Sequence, residues 1–214
     1  NTIAAAEHAI AMMLALSRNI PLAHSSTISG KWERKKFVGN ELFKKKLGVV
    51  GLGKIGTHVA KVANALGMEV IGYDPFVSSE RAQQMQVKLS ELNHLFEVSD
   101  YVTLHLPRTA ETENLVDIEI LKSMKNSAKL INCARGGIID ENALAEALNS
   151  SLIGGAAIDV FSEEPLSPNS PLLKVEKNLI LTPHLGASTK EAQENVAIDV
   201  AEQIRDVLLG LSAR

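Results

Sequence analysis

Cysteine is almost missing from this chain: of 214 residues, only Cys133 is one. An internal disulfide is therefore excluded, and the composition suits a reducing compartment such as the cytoplasm. A surplus of either charge is lacking too, since 22 Lys and Arg stand against 25 Asp and Glu, a net charge of −3. With a pI near 6.1, that balance argues against nucleic acid or an acidic membrane surface as the main partner. No apolar run reaches the roughly 18 residues that a bilayer-spanning helix needs. No group of His and Cys has metal-ligand spacing, so no metal is expected. Repeats and low-complexity tracts are absent as well. What is present is ordinary globular composition, 45% apolar and 22% charged, with ample material for a core.

The most informative stretch runs from Leu47 to Asp74, LGVVGLGKIGTHVAKVANALGMEVIGYD. A short apolar run, Leu47 to Val50, meets Gly51, Gly53 and Gly56 in the order G-x-G-x-x-G. Ile55, Val59, Val62, Ala63 and Leu66 then recur with helical period, and a second β-rich run ends on Asp74. Strand, glycine turn, helix, strand and terminal acid are the parts of a dinucleotide-binding βαβ unit. Gly51 permits a tight turn, Gly53 lets backbone approach a pyrophosphate, and Gly56 lets the helix pack close to the strand. The helix N-terminus points free N–H groups and a positive dipole end at the phosphates. Asp74, 23 residues after Gly51, can accept both adenosine ribose hydroxyls and would repel a 2′-phosphate; Pro75 and Phe76 follow it rather than an arginine. NAD is therefore expected in preference to NADP.

Strand and helix signals alternate along the rest of the chain. A first helix is expected from Thr2 to about Arg18, with Ile3, Ala6, Ile10, Met13, Leu14 and Ser17 on one face. Residues 30–43 read as an extended arm bearing Trp32, either packed locally or gripping a partner subunit. Further strands are expected over 86–88, 101–106, 128–133, 154–160 and 178–182, with Ser90 and Asp140 as helix caps. A long last helix from Ser188 is expected to bury Val196, Val200, Ile204, Val207, Leu208 and Leu211. The pattern implies an α/β fold, one doubly wound parallel sheet of about seven strands with helices on both faces. Its ligand crevice should lie outside the carboxyl ends of the strands. The chain opens on a helix, with no methionine and no signal-peptide pattern, and is expected to be a domain excised from a longer protein.

Three motifs fall at successive strand ends: Asn132-Cys133-Ala134-Arg135-Gly136-Gly137, Asp159 to Pro165, and Pro183-His184-Leu185-Gly186-Ala187. Arg135 offers a planar fork for a carboxylate. His184 can exchange a proton near neutral pH, and Glu164 could be the carboxylate that fixes its tautomer. Singly, these are a surface turn, a structural histidine and a solvated acidic loop; together at three strand ends they make a candidate site. His8, His24, His58, His94 and His105 belong to no such constellation and read as helix-face or packing residues, His105 bordering the crevice. Cys133 has no base pattern around it and is expected to be small and steric.

The arm GKWERKKFVG, the turn GLGKIG, and YDP, NCARGGIIDE, DVFSEEP and PHLGAST resemble the D-isomer-specific 2-hydroxyacid dehydrogenase family over essentially the whole chain. The resemblance implies hydride exchange between the hydroxyl of a small 2-hydroxy acid and NAD. By it, His184 is the general acid/base, Glu164 its partner, and Arg135 the group that orients the substrate carboxylate. Lys54 and Ile55 would meet the pyrophosphate, Asp74 the adenosine ribose, and Leu106 the cofactor's flank. Cys133 and Ala134 would lie near the nicotinamide ribose and Asp159 at the carboxamide. Leu185, Gly186 and Ala187 would line the nicotinamide pocket beside Arg135 and His184. The resemblance further implies a substrate-binding domain built from chain outside residues 1–214. A homodimer through residues 1–43 is also expected, with the first helix and the Trp32 arm wrapping a two-fold partner. A rival reading is an NAD-sensing interaction module without turnover.

Overall fold

The computed structural model describes residues 1–208 and 210, with Asp199 described by its backbone alone. Helices α1 (Thr2–Ser17) and α2 (Ile20–Ile28) lead, and one 3-10 turn, Arg34–Phe37, interrupts the arm that was expected to be extended. Then come β1 (Lys46–Val50), α3 (Lys54–Ala65), β2 (Glu69–Tyr73), α4 (Ser79–Gln84), β3 (Lys88–Leu89) and α5 (Leu92–Val98). The chain continues with β4 (Tyr101–Leu104), α6 (Ile118–Ser123), β5 (Lys129–Asn132), α7 (Glu141–Asn149), β6 (Gly155–Ile158), β7 (Leu179–Leu181) and α8 (Lys190–Leu208). The seven strands form one sheet in the order β3-β2-β1-β4-β5-β6-β7. Every pairing is parallel.

Successive strand residues face opposite sides, so each strand feeds two cores. Leu47 and Val49 of β1, Ile131 of β5 and Ala157 of β6 join α1 and α3 in one core, through Ala6, Ala9, Met13, Val59 and Ala63. Val50, Leu130 and Ile158 join the other, with Phe96 of α5, Leu121 of α6 and Leu144 of α7. Burial on both faces explains why the strands read as continuous apolar runs. Asp140 caps α7, accepting from the N–H groups of Asn142 and Ala143. Elsewhere the caps shift by one: Asn1 rather than Thr2 precedes α1, and Glu91 rather than Ser90 precedes α5.

Two expected helix faces need correction. On α1, Ala6, Ile10, Met13 and Ser17 are buried as expected, but Ile3 and Leu14 are exposed, and Ala5, Ala9, Met12 and Leu16 complete the buried stripe. On α8, Ala192 is buried, whereas Val196, Val200, Ile204, Val207 and Leu208 are exposed, the last by 80%. Past Ala192 the periodic stripe marks a face that the described residues leave uncovered; Leu211 lies outside them. No helix among the described residues is long and apolar enough to cross a membrane.

The chain leaves β1 toward β2 and β3, then crosses back to β4 on the other side of β1. This reversal opens the crevice between the carboxyl ends of β1 and β4.

Candidate active site

The crevice begins at the glycine turn. Gly51 has φ +95° and donates its N–H to Tyr73 O at 2.8 Å, tying the end of β1 to the end of β2. A Cβ on Gly56 would stand 1.9 Å from Gly51 O, so only glycine lets α3 pack this close to the turn. A Cβ on Gly53 would meet nothing within 4 Å, which leaves the backbone of the turn open to a ligand. Gly53 caps α3 without a side-chain hydrogen bond. The N–H groups that follow it, starting with Lys54 and Ile55, are thus free to hold an anion.

Asp74 closes this half. Its Oδ2 accepts the Leu52 N–H at 2.8 Å and its Oδ1 the Phe76 N–H at 2.9 Å. Each oxygen keeps a lone pair for a hydroxyl group. An open glycine backbone, an uncapped helix start and a half-free carboxylate at the end of β2 together fit a dinucleotide with an unmodified ribose.

The second half is assembled from the ends of β4, β5, β6 and β7. A cavity of about 620 Å³ has Ile55, His105, Leu106 and Pro107 on one side, and Cys133, Ala134, Arg135, His184, Gly186 and Ala187 on the other. Asn1, which caps α1, and Ala5 within it reach its rim. Leu185, beside Gly186, is exposed.

Asn132, buried at the end of β5, shapes the turn that presents Arg135. Its Oδ1 accepts the Ala134 N–H and its Nδ2 donates to Arg135 O, both at 3.0 Å. Arg135 itself is exposed and donates one N–H to Ala134 O at 2.6 Å, leaving most of its fork free.

His184 Nδ1 lies 2.7 Å from Glu164 Oε2, and Glu164 Oε1 accepts the Phe161 N–H at 3.0 Å. A carboxylate at Nδ1 keeps the proton there and leaves Nε2 as the free basic atom. Burial pushes the Glu164 carboxyl upward, but the hydrogen bonds from His184 and Phe161 prevail and hold it below the usual glutamate range. The pair also borders a second, apolar cavity of about 610 Å³ lined by Phe161, Pro165, Leu166, Leu173, Leu181 and Pro183.

Asp159 stands behind the cavity wall rather than on it, with no exposed surface. Its Oδ1 accepts the Leu185 N–H at 2.8 Å and the Thr182 hydroxyl, and its Oδ2 accepts the Gly186 N–H at 2.8 Å. Burial would raise its pKa; the His8 and Thr182 side chains and the Leu185 N–H outweigh that and hold it low.

Three residues, Asn132, Thr182 and His8, carry more of this site than their sequence context implied. Asn132 and Thr182 stood inside or beside motifs without an assigned part. His8 was expected to be a packing residue outside any constellation; instead its Nε2 lies 3.1 Å from Asp159 Oδ1 and 3.4 Å from Thr182 Oγ1. Folding also brings ligating atoms of His8, Cys133 and Asp159 within 4.8 Å of one another, a proximity their sequence spacing could not show. Asp159 is already engaged by protein donors, and burial, with the Asp159 charge second, pushes the Cys133 thiol up so that it stays protonated. The cluster is therefore built as a hydrogen-bond node. His105 lines the cavity as expected; burial lowers its pKa to about 4, and its Nε2 sits 3.0 Å from Thr103 Oγ1. It is a neutral wall residue.

Comparison with known proteins agrees with this geometry. Residues 10–186 match the model of the family described as D-isomer specific 2-hydroxyacid dehydrogenase, NAD binding domain. The chain is 62% identical over 214 residues to a D-3-phosphoglycerate dehydrogenase of Synechocystis, covering 100% of this chain and 38% of that relative. It is 51% identical to one of Archaeoglobus fulgidus, over 100% of this chain and 40% of the relative. The chain thus spans about two fifths of the length of these curated relatives. Among solved structures, a D-lactate dehydrogenase from Escherichia coli superposes with a TM-score of 0.89 at 30% identity, covering 100% of this chain and 67% of that one. An NAD-dependent formate dehydrogenase from Staphylococcus aureus in complex with NAD gives 0.91 at 32% identity, covering 100% and 64%. The chain belongs to the D-isomer-specific 2-hydroxyacid dehydrogenase family, of which it is the NAD-binding domain.

Proposed function

We propose that this domain serves a D-3-phosphoglycerate dehydrogenase in serine biosynthesis. The reaction would be reversible hydride transfer between the C2 hydroxyl of 3-phosphoglycerate and NAD, giving 3-phosphohydroxypyruvate. The observation that carries the reading is the His184–Glu164 pair at 2.7 Å beside a cavity that also holds Arg135. The relatives named above support the choice of substrate, as do the arm GKWERKKFVG and the segment PHLGAST. Glyoxylate, lactate and formate dehydrogenases would share the same Arg, Glu and His, and a substrate screen on the longer protein separates them.

In this reading the free fork of Arg135 grips the substrate carboxylate and sets the C2 carbon toward the cavity. His184 Nε2 takes the hydroxyl proton, and Glu164 stabilises the imidazolium that results. NAD, when bound, accepts the hydride. Leu106 and Ile55 exclude water from the cavity flank, Asp74 holds the ribose hydroxyls, and Cys133 stays inert.

The substrate domain would come from chain outside residues 1–214, so the domain alone should bind NAD and turn over very slowly. Calorimetry with NAD, paired with a hydride-transfer assay on the 214-residue chain, tests this. Full turnover by the domain would overturn the division of labour; binding without turnover even in the longer protein would favour an NAD-sensing module.

We infer further that residues 1–43 carry a homodimer contact. No residue of α2 is buried, and Ile28, Trp32 and Val38 are each more than 70% exposed. Such a surface is rare on a monomer. Sedimentation of a Trp32→Ala, Phe37→Ala variant should show a lighter species than the parent; an unchanged dimer would count against the arm. The single buried Cys133 fits a reducing, cytoplasm-like compartment.

A further inference from the structure

His8 is one of two polar residues on the inner side of α1; the other, Ser17, is buried at the far end of the helix against Tyr101 of β4. Ala5, Ala6 and Ala9 let α1 lie close to β5, β6 and β7. That approach carries His8 to the strand ends, where Nε2 sits 3.1 Å from Asp159 Oδ1 and 3.4 Å from Thr182 Oγ1. The Thr182 hydroxyl is donated to Asp159, so its oxygen can only accept at that point. An Nε2–H facing two acceptors fixes the tautomer of His8. One turn further along α1, Met12 Sδ lies 3.8 Å from the same Thr182 oxygen, a packing contact, since the hydroxyl proton is already given to Asp159.

Asp159 in turn organises the cavity wall. Its carboxylate binds the N–H groups of Leu185 and Gly186, and its backbone oxygen accepts the His184 N–H at 2.9 Å. His184 has φ +55°, a conformation that an ordinary residue keeps only where its surroundings enforce it. The chain of contacts runs from His8 to Asp159 and Thr182, and from there to the backbone that carries His184 and lines the cavity.

We propose that His8 is a positioning residue for the nicotinamide end of the site, acting through Asp159 and Thr182 on the turn formed by residues 182–186. The proposal rests on the reading that this cavity receives the nicotinamide of NAD. His8 itself does not line the cavity. Its donor keeps the Asp159 carboxylate turned so that both oxygens serve the turn, and without it a fully buried carboxylate loses a partner.

The test compares two ligands on the 214-residue chain. NAD spans both halves of the crevice; ADP-ribose ends at the second ribose and has no nicotinamide. His8→Phe keeps a ring of similar reach but removes the donor, and His8→Gln keeps an N–H near the position of Nε2. Calorimetry should show His8→Phe binding NAD about tenfold more weakly while ADP-ribose stays within about twofold. His8→Gln should recover most of the loss. ADP-ribose binding also reports that each variant is folded. Equal weakening of both ligands would mean that His8 merely seats α1, and would overturn the proposal. So would failure of His8→Gln to recover, or a parent-like affinity of His8→Phe for NAD; in that last case the NAD reading stands and only the role of His8 falls. A parent chain that binds neither ligand would remove the NAD reading, and the proposal with it.

Discussion

The two halves of the crevice recognise in different ways. At the end of β1 the contacts are local and mostly backbone: a glycine turn, a helix start, and one carboxylate that clamps the turn through Leu52 and Phe76. At the ends of β5, β6 and β7 they are side-chain networks drawn from distant segments, as with His8 and Thr182, 174 residues apart. In the proposed reading the first half needs only shape, a dipole and one carboxylate: the pyrophosphate is common to every dinucleotide, and Asp74 separates an unmodified ribose from one with a 2′-phosphate. By the same reading the second would hold a base, a cation and a carboxylate in register for one reaction. It is therefore built from residues whose places are fixed by other side chains.

The largest expected break in this comparison comes from Gly56→Ala. A methyl 1.9 Å from Gly51 O must push α3 off the turn. A stability loss of about 3 kcal/mol is expected, which for a domain of this size lowers the melting temperature by roughly 6–12 °C. Calorimetric melting checks this, and an unchanged midpoint would contradict the close packing. Gly53→Ala sharpens the same half. Its φ of −66° suits alanine and its Cβ would meet open space, so stability should move by less than about 0.5 kcal/mol. Affinity for NAD and ADP-ribose should nevertheless fall together, by about tenfold, because the methyl occupies the approach of the pyrophosphate. Melting and titration on one sample separate the two effects.

The smallest effect belongs to the other half and is read with pH. The Glu164 carboxyl is held low in the folded chain, so its contribution to stability is present above the unfolded glutamate value of about 4.3 and is lost as pH falls through the lower folded value. His184→Ala removes the strongest of the opposing donors and leaves burial, so the carboxyl should titrate at higher pH. The loss of stability between about pH 5 and pH 3 should then be shallower. Carboxyl NMR with melting across that range decides it; an unmoved titration would mean that the pair is not formed in solution.

How much was legible in the sequence follows from the same contrast. The dinucleotide half is contiguous from Leu47 to Asp74, so its spacing alone specified strand, turn, helix and acid, all found in place. The reactive half was legible as three strand-end motifs, but the pairing of Glu164 with His184 rested on chemistry and family resemblance rather than spacing. His8 was not legible, because helical periodicity shows which face is inward and not what waits at the end of a strand. The apolar stripe of α8 failed for a related reason: periodicity implies that a face will be covered without showing by what. The carboxyl ends of β4 to β7 were overrun by one or two residues, as at 101–106 against Tyr101–Leu104, since apolar character continues into the crevice after ladder pairing stops.

The position of α1 has a consequence for how the domain is made. This helix precedes every strand in the chain, yet it packs on α3, β5, β6 and β7. The part of its alanine-rich face that meets β5, β6 and β7 can be covered only once those strands have paired, a long-range step of folding. The groups at the chemical end of the crevice would then come into register only on completion of the sheet. A partly folded domain could already present a glycine turn and Asp74, and hold the adenylate half of a dinucleotide, before it had any reactive centre to offer.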